Sequence, residues 1–498
     1  MKTVLGLDLG TQSLKAVFYN YHAKEIACTS SSALELYRDE KGSAEQEAQW
    51  WLSALEDCLS QVPSTVLQSV QAISISGQQH GFVALDASGE VLLPVKLWCD
   101  TATQKEVAQI TARCGGSEAA FAMTGNPVVT GFTAPKVLWL KNHRPDLYAK
   151  LAHILLPHDY LNYILTGEFA MEYGDASGTG LLDVRTRQWS KAMLQAVDDE
   201  RDLAACLPQL VNSNKFIGAT TEEFSANYGL RAGIPVASGG GDNMMGAIGT
   251  GNVSAGKLTM SLGSSGTLYA YSETPVIDPE GIISAFCSST GGWLPLLCTM
   301  NCTLATDLIR EALEIELDQV DKLVSAVAAG SDGLVALPFF HGERTPNLPE
   351  GQGCFLGITP HNFDKAHMLR SVMEATIFGL KFGLDKLNAL GVESSEVVLT
   401  GGGANSLEWR QIVADVFQLP VTIPEQQEGA SFGAALQALW VLQSQDQPEL
   451  SITKICEEHV IPNARLSVKP NVDKADQYAL AYNNYQRALE QVSPLYRT

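Results

Sequence analysis

Basic residues are scarce in this 498-residue sequence. It has 33 Lys and Arg against 55 Asp and Glu, which gives a formal net charge of -22 at pH 7. A field of this sign repels nucleic-acid phosphates and anionic lipids, so we expect neither a nucleic-acid partner nor a membrane partner. An anionic substrate would need a locally built site.

Long apolar runs and C-x-x-C pairs are also missing, although Cys298 and Cys302 are one helical turn apart. Apolar stretches such as 434–442 reach about half of the roughly 20 residues that span a bilayer. Asp8 interrupts the first segment before the apolar core of a secretory signal could form. The ten cysteines include no C-x-x-C pair. These absences predict a soluble, cytoplasmic protein with free thiols.

The length and the glycine pattern predict an α/β protein of two similar domains. A chain of 498 residues is too long for one hydrophobic core. The first 19 residues read as a β-hairpin around 10–13, and a second such hairpin follows at 257–272, where SLGSSG matches DLGTQS. Helical patterns at 45–62, 364–391 and 406–417 separate short strands. We therefore expect domains at 1–248 and 249–498, a hinge at 246–257, and final helices that pack back on the N-terminal half.

Three glycine-rich turns, after Asp8, Leu262 and Thr400, present backbone N–H groups that could bind phosphate oxygens. Any one such turn is more often the plain end of a hairpin, but three turns in one chain favour phosphate binding. The near match GNVSAGKL at 251–258 is not a Walker A loop. Leu258 replaces the Ser or Thr that binds Mg²⁺ there, and a strand pattern follows where a helix is required.

Two aspartates are placed for chemistry. Asp8 ends a strand directly before the first turn, where a carboxylate can position Mg²⁺ or simply cap its own turn. Asp242 follows three glycines, which let the backbone approach a ligand closely, and precedes small apolar residues. It can act as a general base or as the N-cap of the next helix.

Polar and aromatic side chains that suit a sugar occur in two further stretches. Gln79 and His80 follow a strand in SGQQHG, and Trp98 and Asp100 supply an apolar ring beside an acceptor in KLWCDTAT. The same residues could instead be ordinary core and turn positions.

Taken together, these stretches resemble the FGGY family of carbohydrate kinases. LGLDLGTQSLKAVFYN is similar to the phosphate-1 hairpin of the family, MSLGSSGTLYA to its phosphate-2 hairpin and VVLTGGGANSLEWRQIVADVF to its adenosine segment. The family's two signature patterns resemble 131–143 and 353–375, the latter preceded by GERTPN. The resemblance implies the two-lobed actin, Hsp70 and sugar-kinase fold, which is ribonuclease H-like, with a central cleft for ATP and substrate.

The resemblance also implies a reaction, in which ATP with Mg²⁺ phosphorylates a ketopentose, with D-xylulose as the expected sugar. In this scheme Asp242 is the catalytic base, and Asp8 is the carboxylate that binds the metal, directly or through water. The implied sugar contacts are Gln79, His80, Trp98, Asp100, Asp242 and Asn243. The implied nucleotide and phosphate contacts are Gly10, Thr11, Gln12, Ser13, Lys15, Gly263, Ser264, Ser265, Gly266, Gly402, Gly403 and Asn405.

Two departures from the family pattern leave alternatives open. Ala102 stands where many relatives carry the Arg of W-x-D-x-R, and Gln79 stands where comparable relatives often have Met. The alternatives are a kinase for another ketose or polyol, such as L-xylulose, ribulose or a hexulose, and a non-catalytic nucleotide-dependent regulator or assembly protein of the same fold. A homodimer is consistent with the family.

Overall fold

The computed structural model describes residues 1–496. Its strands are β1 (Thr3–Leu9), β2 (Ser13–Asn20), β3 (Glu25–Ala33), β4 (Tyr37–Arg38), β5 (Ala44–Gln46), β6 (Val70–Gly77), β7 (Val83–Leu85), β8 (Val95–Lys96), β9 (His153–Leu155), β10 (Ala170–Glu172), β11 (Leu182–Asp183), β12 (Gln188–Trp189), β13 (Gln209–Val211), β14 (Phe216–Ala219), β15 (Pro235–Ala237), β16 (Gly240–Gly241), β17 (Gly256–Leu262), β18 (Gly266–Ala270), β19 (Leu296–Thr299), β20 (Val335–Leu337), β21 (Cys354–Leu356), β22 (Ser394–Thr400) and β23 (Val421–Thr422).

The α-helices are interspersed with these strands along the chain. They are α1 (Ala48–Ser60), α2 (Ser64–Leu67), α3 (Gln104–Arg113), α4 (Ser117–Thr124), α5 (Thr133–His143), α6 (Pro145–Tyr148), α7 (Pro157–Thr166), α8 (Tyr173–Ala176), α9 (Lys191–Val197), α10 (Glu222–Tyr228), α11 (Asp242–Gly249), α12 (Thr303–Ala312), α13 (Val320–Ser325), α14 (Lys365–Ala389), α15 (Leu407–Phe417), α16 (Gly429–Ser444), α17 (Ile452–His459) and α18 (Ala475–Val492).

The main sheet of the N-terminal half has the order β14-β15-β6-β1-β2-β3, with β16 also paired to β6. β1 pairs antiparallel with β2 and parallel with β6. Six of its seven residues are buried, as expected for a central strand that is covered on both faces. Trp51 of α1 packs in the core on one face, and Phe432 of α16 packs in the core on the other.

The C-terminal half repeats this local arrangement. Its main sheet has the order β19-β18-β17-β22-β23. β17 pairs antiparallel with β18 across the second glycine-rich turn and parallel with β22. Both predicted hairpins and the internal repeat are therefore confirmed, because β17 has the same two kinds of neighbour as β1.

The helices α11 and α16 cross closely enough to exclude side chains at the crossing. A Cβ on Gly433 of α16 would overlap the carbonyl oxygen of Met245, and one on Gly249 of α11 would overlap that of Gly429. The segment 246–257 thus begins inside a buried helix, and its role as a hinge stays a prediction.

The last helices divide between the two halves. α16 and α17 pack on the N-terminal sheet, where Tyr19 donates to His459 Nδ1 at 2.8 Å if that nitrogen is unprotonated. The expected return of the final helix is wrong, because Tyr478 and Tyr485 of α18 are buried in the C-terminal core. The sequence of α18 shows that one face is apolar, but it does not specify which half of the molecule that face covers.

Most predicted helices are confirmed with small shifts at their ends. The pattern at 364–391 forms α14, and 406–417 forms α15 with Ser406 as its N-cap. The helix expected from residue 45 begins at Ala48 instead, because Glu45 and Gln46 pair with β8. All ten cysteines are unpaired. Over residues 1–496, we find no helix that combines the length and the apolar character of a membrane span.

Candidate active site

The two predicted catalytic aspartates lie at the same edge of the N-terminal sheet. In the parallel register Asp8 of β1 and Gly240 of β16 both pair with Ser76 of β6. Ser76 Oγ donates to Asp8 Oδ1 at 2.8 Å. Asp242 begins α11 two residues after Gly240. The carboxyl ends of parallel strands are the usual place for a ligand site in α/β proteins.

Asp242 has one oxygen committed to the protein. Its Oδ1 accepts the backbone N–H of Asn243 at 2.8 Å and the side-chain Nδ2 of Asn243 at 3.1 Å. Within residues 1–496, no protein group donates to its Oδ2, which leaves that oxygen for a ligand. The N-cap of α11 is Gly241 rather than Asp242, although the Asp242 carboxylate still binds a free amide of the first turn.

The charge environment of Asp242 suits a base. Burial and, to a smaller extent, the nearby Asp8 and Asp175 carboxylates together raise the pKa of Asp242 to about 7. Burial also raises the pKa of Asp8, against the opposing effects of Ser76 and Lys15. A carboxylate that titrates near neutral pH can take a proton far more readily than one with an ordinary pKa.

The three glycines before Asp242 are each required by their surroundings. Gly239 has φ of +71°, a left-handed conformation that disfavours other residues. A Cβ on Gly240 would meet Ser289, and one on Gly241 would meet the Gln79 side chain. Gln437 of α16 supports this turn from behind, because its Oε1 accepts Gly239 N–H at 3.0 Å. The glycines therefore let the backbone just before Asp242 approach Gln79 closely.

Gln79, His80 and Asn243 form a polar wall beside Asp242. Asn243 Nδ2 donates to Gln79 Oε1 at 3.0 Å. His80 Nδ1 lies 2.7 Å from the carbonyl oxygen of Gly178, so Nδ1 carries the proton of the neutral ring and Nε2 is an acceptor. Burial, with Lys136, lowers the pKa of His80 to about 3. The ring packs 4.8 Å from that of Phe132, centroid to centroid.

A buried ionic cluster behind this wall is not evident from the sequence. His158 lies between two carboxylates, with Nδ1 2.8 Å from Asp175 Oδ2 and Nε2 2.9 Å from Asp159 Oδ1. Burial alone would lower the pKa of His158, but the two carboxylates raise it well above its ordinary value. Asp175 Oδ1 and Gln79 Nε2, which flank Gly241, are buried without a hydrogen-bond partner among residues 1–496. Neither atom is exposed, and the Gln79 side chain lies close enough to Asp175 to oppose the burial that raises the pKa of Asp175.

Trp98 contacts the first predicted phosphate turn, whereas Asp100 bonds only within its own surroundings. The half-buried Trp98 donates through Nε1 to Thr11 Oγ1 at 3.0 Å. The prediction of Asp100 as a sugar contact is wrong for this structure. Its carboxylate is fully buried, with Oδ1 bound to Ala102 N–H at 3.0 Å and Oδ2 bound to Lys96 Nζ at 3.0 Å. Asp100 therefore stabilises the backbone around Trp98.

The first predicted phosphate turn lies next to Asp8. Gly10 N–H donates to the Ser13 carbonyl at 3.0 Å and closes the turn, while Gln12 is exposed. Thr11 Oγ1 is already engaged, since it donates to Gln78 Oε1 at 3.0 Å and accepts from Trp98. Lys15 is exposed and pairs with Asp8 across β1 and β2. The free groups of this turn are thus Gln12, Lys15 and backbone amides.

The other two turns lie side by side. β17 and β22 are parallel, and Ser261 pairs with Thr400 just before the two turns. In the first of them Ser264 is exposed, Gly263 and Ser265 are half-buried and Gly266 is buried. In the second, Gly402 and Asn405 are exposed, while Gly403 packs against Leu262. The predicted nucleotide residues of these two turns are therefore neighbours, with Gly266 and Gly403 buried and the others at least partly exposed.

Metal-binding groups at the site are few. Over residues 1–496, no three His, Cys, Asp or Glu side chains form a metal-ligand cluster. Mg²⁺ in phosphoryl-transfer sites commonly binds one or two carboxylates together with waters and substrate phosphates. Asp8 matches that donor set, because only its Oδ1 accepts a protein hydrogen bond in this part of the chain.

Comparison with known proteins gives consistent matches over both halves. A model of the FGGY family of carbohydrate kinases, N-terminal domain, matches residues 3–249, and the corresponding C-terminal domain model matches 258–442. The chain is 38% identical to a xylulose kinase of Haemophilus influenzae over 98% of this chain and 99% of that protein. It is 34% identical to a xylulose kinase of Escherichia coli over 99% of both. A crystal structure described as a xyloylose kinase from Brucella ovis is similar with a TM-score of 0.91 and 30% identity, covering 99% of this chain and 100% of that one.

Proposed function

The chain belongs to the FGGY family of carbohydrate kinases, and from this premise we propose that it transfers the γ-phosphoryl group of ATP to D-xylulose, giving D-xylulose 5-phosphate and ADP. It is an ATP-dependent sugar kinase by family. The choice of sugar is supported by relatives named xylulose kinase at 38% and 34% identity over almost the whole chain. The observation that carries the proposed mechanism is the free Oδ2 of Asp242, whose carboxylate has a pKa of about 7.

In the proposed mechanism the terminal hydroxyl of the sugar binds at Asp242 Oδ2. Its proton moves to that oxygen as the hydroxyl oxygen attacks the γ-phosphorus in line with the leaving ADP. Asn243 holds Oδ1, so the carboxylate cannot rotate freely away from the hydroxyl. A positioned base of this kind accounts for about 10²–10⁴-fold in rate.

The remaining proposed sugar contacts are the polar atoms near Asp242 that form no hydrogen bond within the protein. His80 Nε2 accepts one sugar hydroxyl, because Nδ1 is bound to Gly178. Gln79 Nε2 and Asp175 Oδ1 are the buried unpaired donor and acceptor beside Gly241. A hydroxyl can satisfy both at once, since it accepts one hydrogen bond and donates another. Trp98 provides an apolar face for the sugar carbons.

ATP binds in the proposed complex along the paired turns of the C-terminal half. Ser264, Ser265, Gly402 and Asn405 present free amides or side chains there, with Gly263, Gly266 and Gly403 shaping the turns. The γ-phosphate reaches across to the first turn, where Gly10, Gln12, Ser13 and Lys15 face it and Thr11 links the turn to Trp98. Closure of the two halves on both substrates would exclude water, which competes with the sugar as acceptor.

Asp8 is the residue that would hold Mg²⁺, directly or through water. A cation beside it would offset the burial that raises the pKa of Asp8. When bound, such an ion neutralises charge on the phosphate oxygens. The protein's own part is to keep the Asp8 carboxylate oriented through Ser76.

The alternative functions differ in which sugar, if any, is needed for ATP consumption. A kinase for another ketose or polyol would release ADP with that sugar in place of D-xylulose. A regulator or assembly protein of the same fold would not couple ATP consumption to a sugar. Hydroxyl orientation at one carbon decides between epimers, and Gln79 with Asp175 are the groups beside Gly241 that would contact such a hydroxyl.

A coupled ADP-release screen over about a dozen ketoses and polyols tests the proposed function. We expect ADP production with D-xylulose at a higher kcat/KM than with L-xylulose, ribulose or any hexulose, and little production without sugar. Faster turnover of a different sugar would contradict the substrate, and sugar-independent ADP release would contradict the enzyme class. Mass spectrometry of the product controls for uncoupled hydrolysis, because only transfer yields a sugar phosphate. Sedimentation measurements test separately whether the protein forms the homodimer that is consistent with the family.

A further inference from the structure

Arg344 lies on a loop whose backbone is fixed by a buried carboxylate. Glu343, which is only 5% exposed, accepts the backbone N–H groups of Met300 at 2.6 Å and Arg344 at 2.7 Å through Oε1. Its Oε2 accepts Asn301 Nδ2 at 3.1 Å. Thr345 Oγ1 donates to the Cys298 carbonyl at 3.0 Å. These bonds attach the loop of Arg344 to residues 298–301.

The same short segment supports the second phosphate turn. Cys302 N–H donates to the Ser264 carbonyl at 3.1 Å, and Thr303 N–H donates to the Gly263 carbonyl at 2.9 Å. Cys298 pairs with Thr267 in the sheet. The backbone of Arg344 is therefore one hydrogen-bonded segment away from the turn proposed to bind ATP phosphate.

The guanidinium group of Arg344 reaches the opposite half of the molecule. Its central carbon lies 5.9 Å from the centroid of the Trp98 ring, and Trp98 donates to Thr11 in the first phosphate turn. Arg344 thus spans from the segment behind one phosphate turn to a residue bonded to the other. Four residues after Trp98, Ala102 has no charge to contribute to this region.

Arg344 brings a positive charge without a protein counter-ion. It is exposed, and none of the side chains of residues 1–496 forms an ion pair with it. In a chain of net charge -22 an incoming phosphate needs local neutralisation. A planar guanidinium presents paired N–H donors that match phosphate oxygens.

We propose that Arg344 is a catalytic residue that binds the transferring phosphoryl group in the cleft between the two phosphate turns. The inference rests on the proposed function. The bond from the γ-phosphorus to the bridging oxygen of ATP breaks, and its electron pair leaves with ADP. A bond from the sugar oxygen to phosphorus forms as the hydroxyl proton passes to Asp242. Arg344 donates hydrogen bonds to the non-bridging oxygens, whose charge it neutralises while they move.

The test compares Arg344→Gln and Arg344→Lys with a matched control, Arg487→Gln, which changes an exposed arginine of α18. We expect Arg344→Gln to lower kcat by about 10²–10³-fold, the usual cost of losing one preorganised donor to a developing oxyanion. The KM values for sugar and ATP should change less than about threefold, because the contact strengthens in the transition state. Arg344→Lys should recover part of the loss through its point charge, and added guanidinium ion should partly restore Arg344→Gln. The control should match wild type throughout.

Several results would overturn the role of Arg344. An unchanged kcat for Arg344→Gln excludes it, as does a rise in sugar KM at constant kcat, which would make Arg344 a sugar contact. A loss of activity that follows a lowered melting temperature in both Arg344 variants, without guanidinium rescue, would make its role structural. Wild-type enzyme that phosphorylates no sugar in the screen would instead contradict the proposed function itself.

Discussion

Asp242 must be unprotonated to act as the proposed base. Burial, Asp8 and Asp175 together raise its pKa to about 7. We therefore expect kcat/KM for the sugar to rise with pH along an acid limb with an apparent pKa near 7. Neutral His80 adds no limb between pH 5 and 9, because its pKa is lowered to about 3. A pH-rate profile over that range measures this limb.

Asp175→Asn provides the matched variant for the pH profile. Removing one negative neighbour lowers the cost of ionising Asp242, so the acid limb should move to lower pH. The limb belongs to a group of coupled carboxylates, so it reports an apparent value for the group. An acid limb near pH 4 in wild type, or no shift in the variant, would contradict the electrostatic role of burial and of Asp175.

The sequence predicted the catalytic candidates that lie next to glycine-rich turns. Three glycines before Asp242 and the turn after Asp8 indicated both aspartates as candidates, and the structure places them at one sheet edge. Asp100 had no such mark, and its carboxylate proved to bind Lys96 and backbone amides. His158 and Asp175 are 17 residues apart in the chain, and nothing in local spacing predicts that they share a buried ion pair.

The position of Asp242 depends on the close packing of helices α11 and α16. α11 begins at Asp242, and α16 supplies Gln437 to the turn before it. Gly433→Ala should destabilise the protein by about 1–3 kcal/mol, because its Cβ would overlap the Met245 carbonyl oxygen and force the helices apart. Urea-induced unfolding followed by circular dichroism measures the change.

Gly379→Ala is the control for this substitution. Gly379 lies within α14, and a Cβ there would be 3.8 Å from its nearest neighbour, an ordinary contact. Alanine should then stabilise the helix by about 0.5–1 kcal/mol, since it lowers the entropy of the unfolded chain. Equal effects of the two substitutions would show that the close crossing does not limit stability.

Helices and hairpins with a clear local sequence pattern were predictable, but the strands and sheets on which they pack were not. Alternating apolar residues and small-residue turns indicated both hairpins, and helical periodicity indicated α14 and α15. The start of α1 was predicted too early, because the pairing of β5 with β8 depends on residues about 50 positions away. Nothing within 429–444 indicates that α16 covers the sheet of the other half.

Two similar sheets, one in each half of the chain, each carry a hairpin with a glycine-rich turn. Trp98 and Arg344 come from opposite halves of the chain and lie 5.9 Å apart. The internal repeat predicted this symmetry of hairpins, but the route of the chain after residue 428 had to be observed. α16 and α17 return to the N-terminal sheet, whereas α18 stays with the C-terminal core. The two halves are therefore joined by packing as well as by the segment between them.

The most direct test of the central claim is the rate of sugar phosphate formation by wild type and by Asp242→Asn, each saturated with ATP, Mg²⁺ and D-xylulose. We expect a loss of at least about 10²-fold in the variant, the minimum for removal of a positioned base. Nucleotide affinity, measured by calorimetry, should be nearly unchanged, because Asp242 does not contact ATP in the proposed complex. A variant that keeps more than about a tenth of wild-type activity would contradict the assignment of Asp242 as the base.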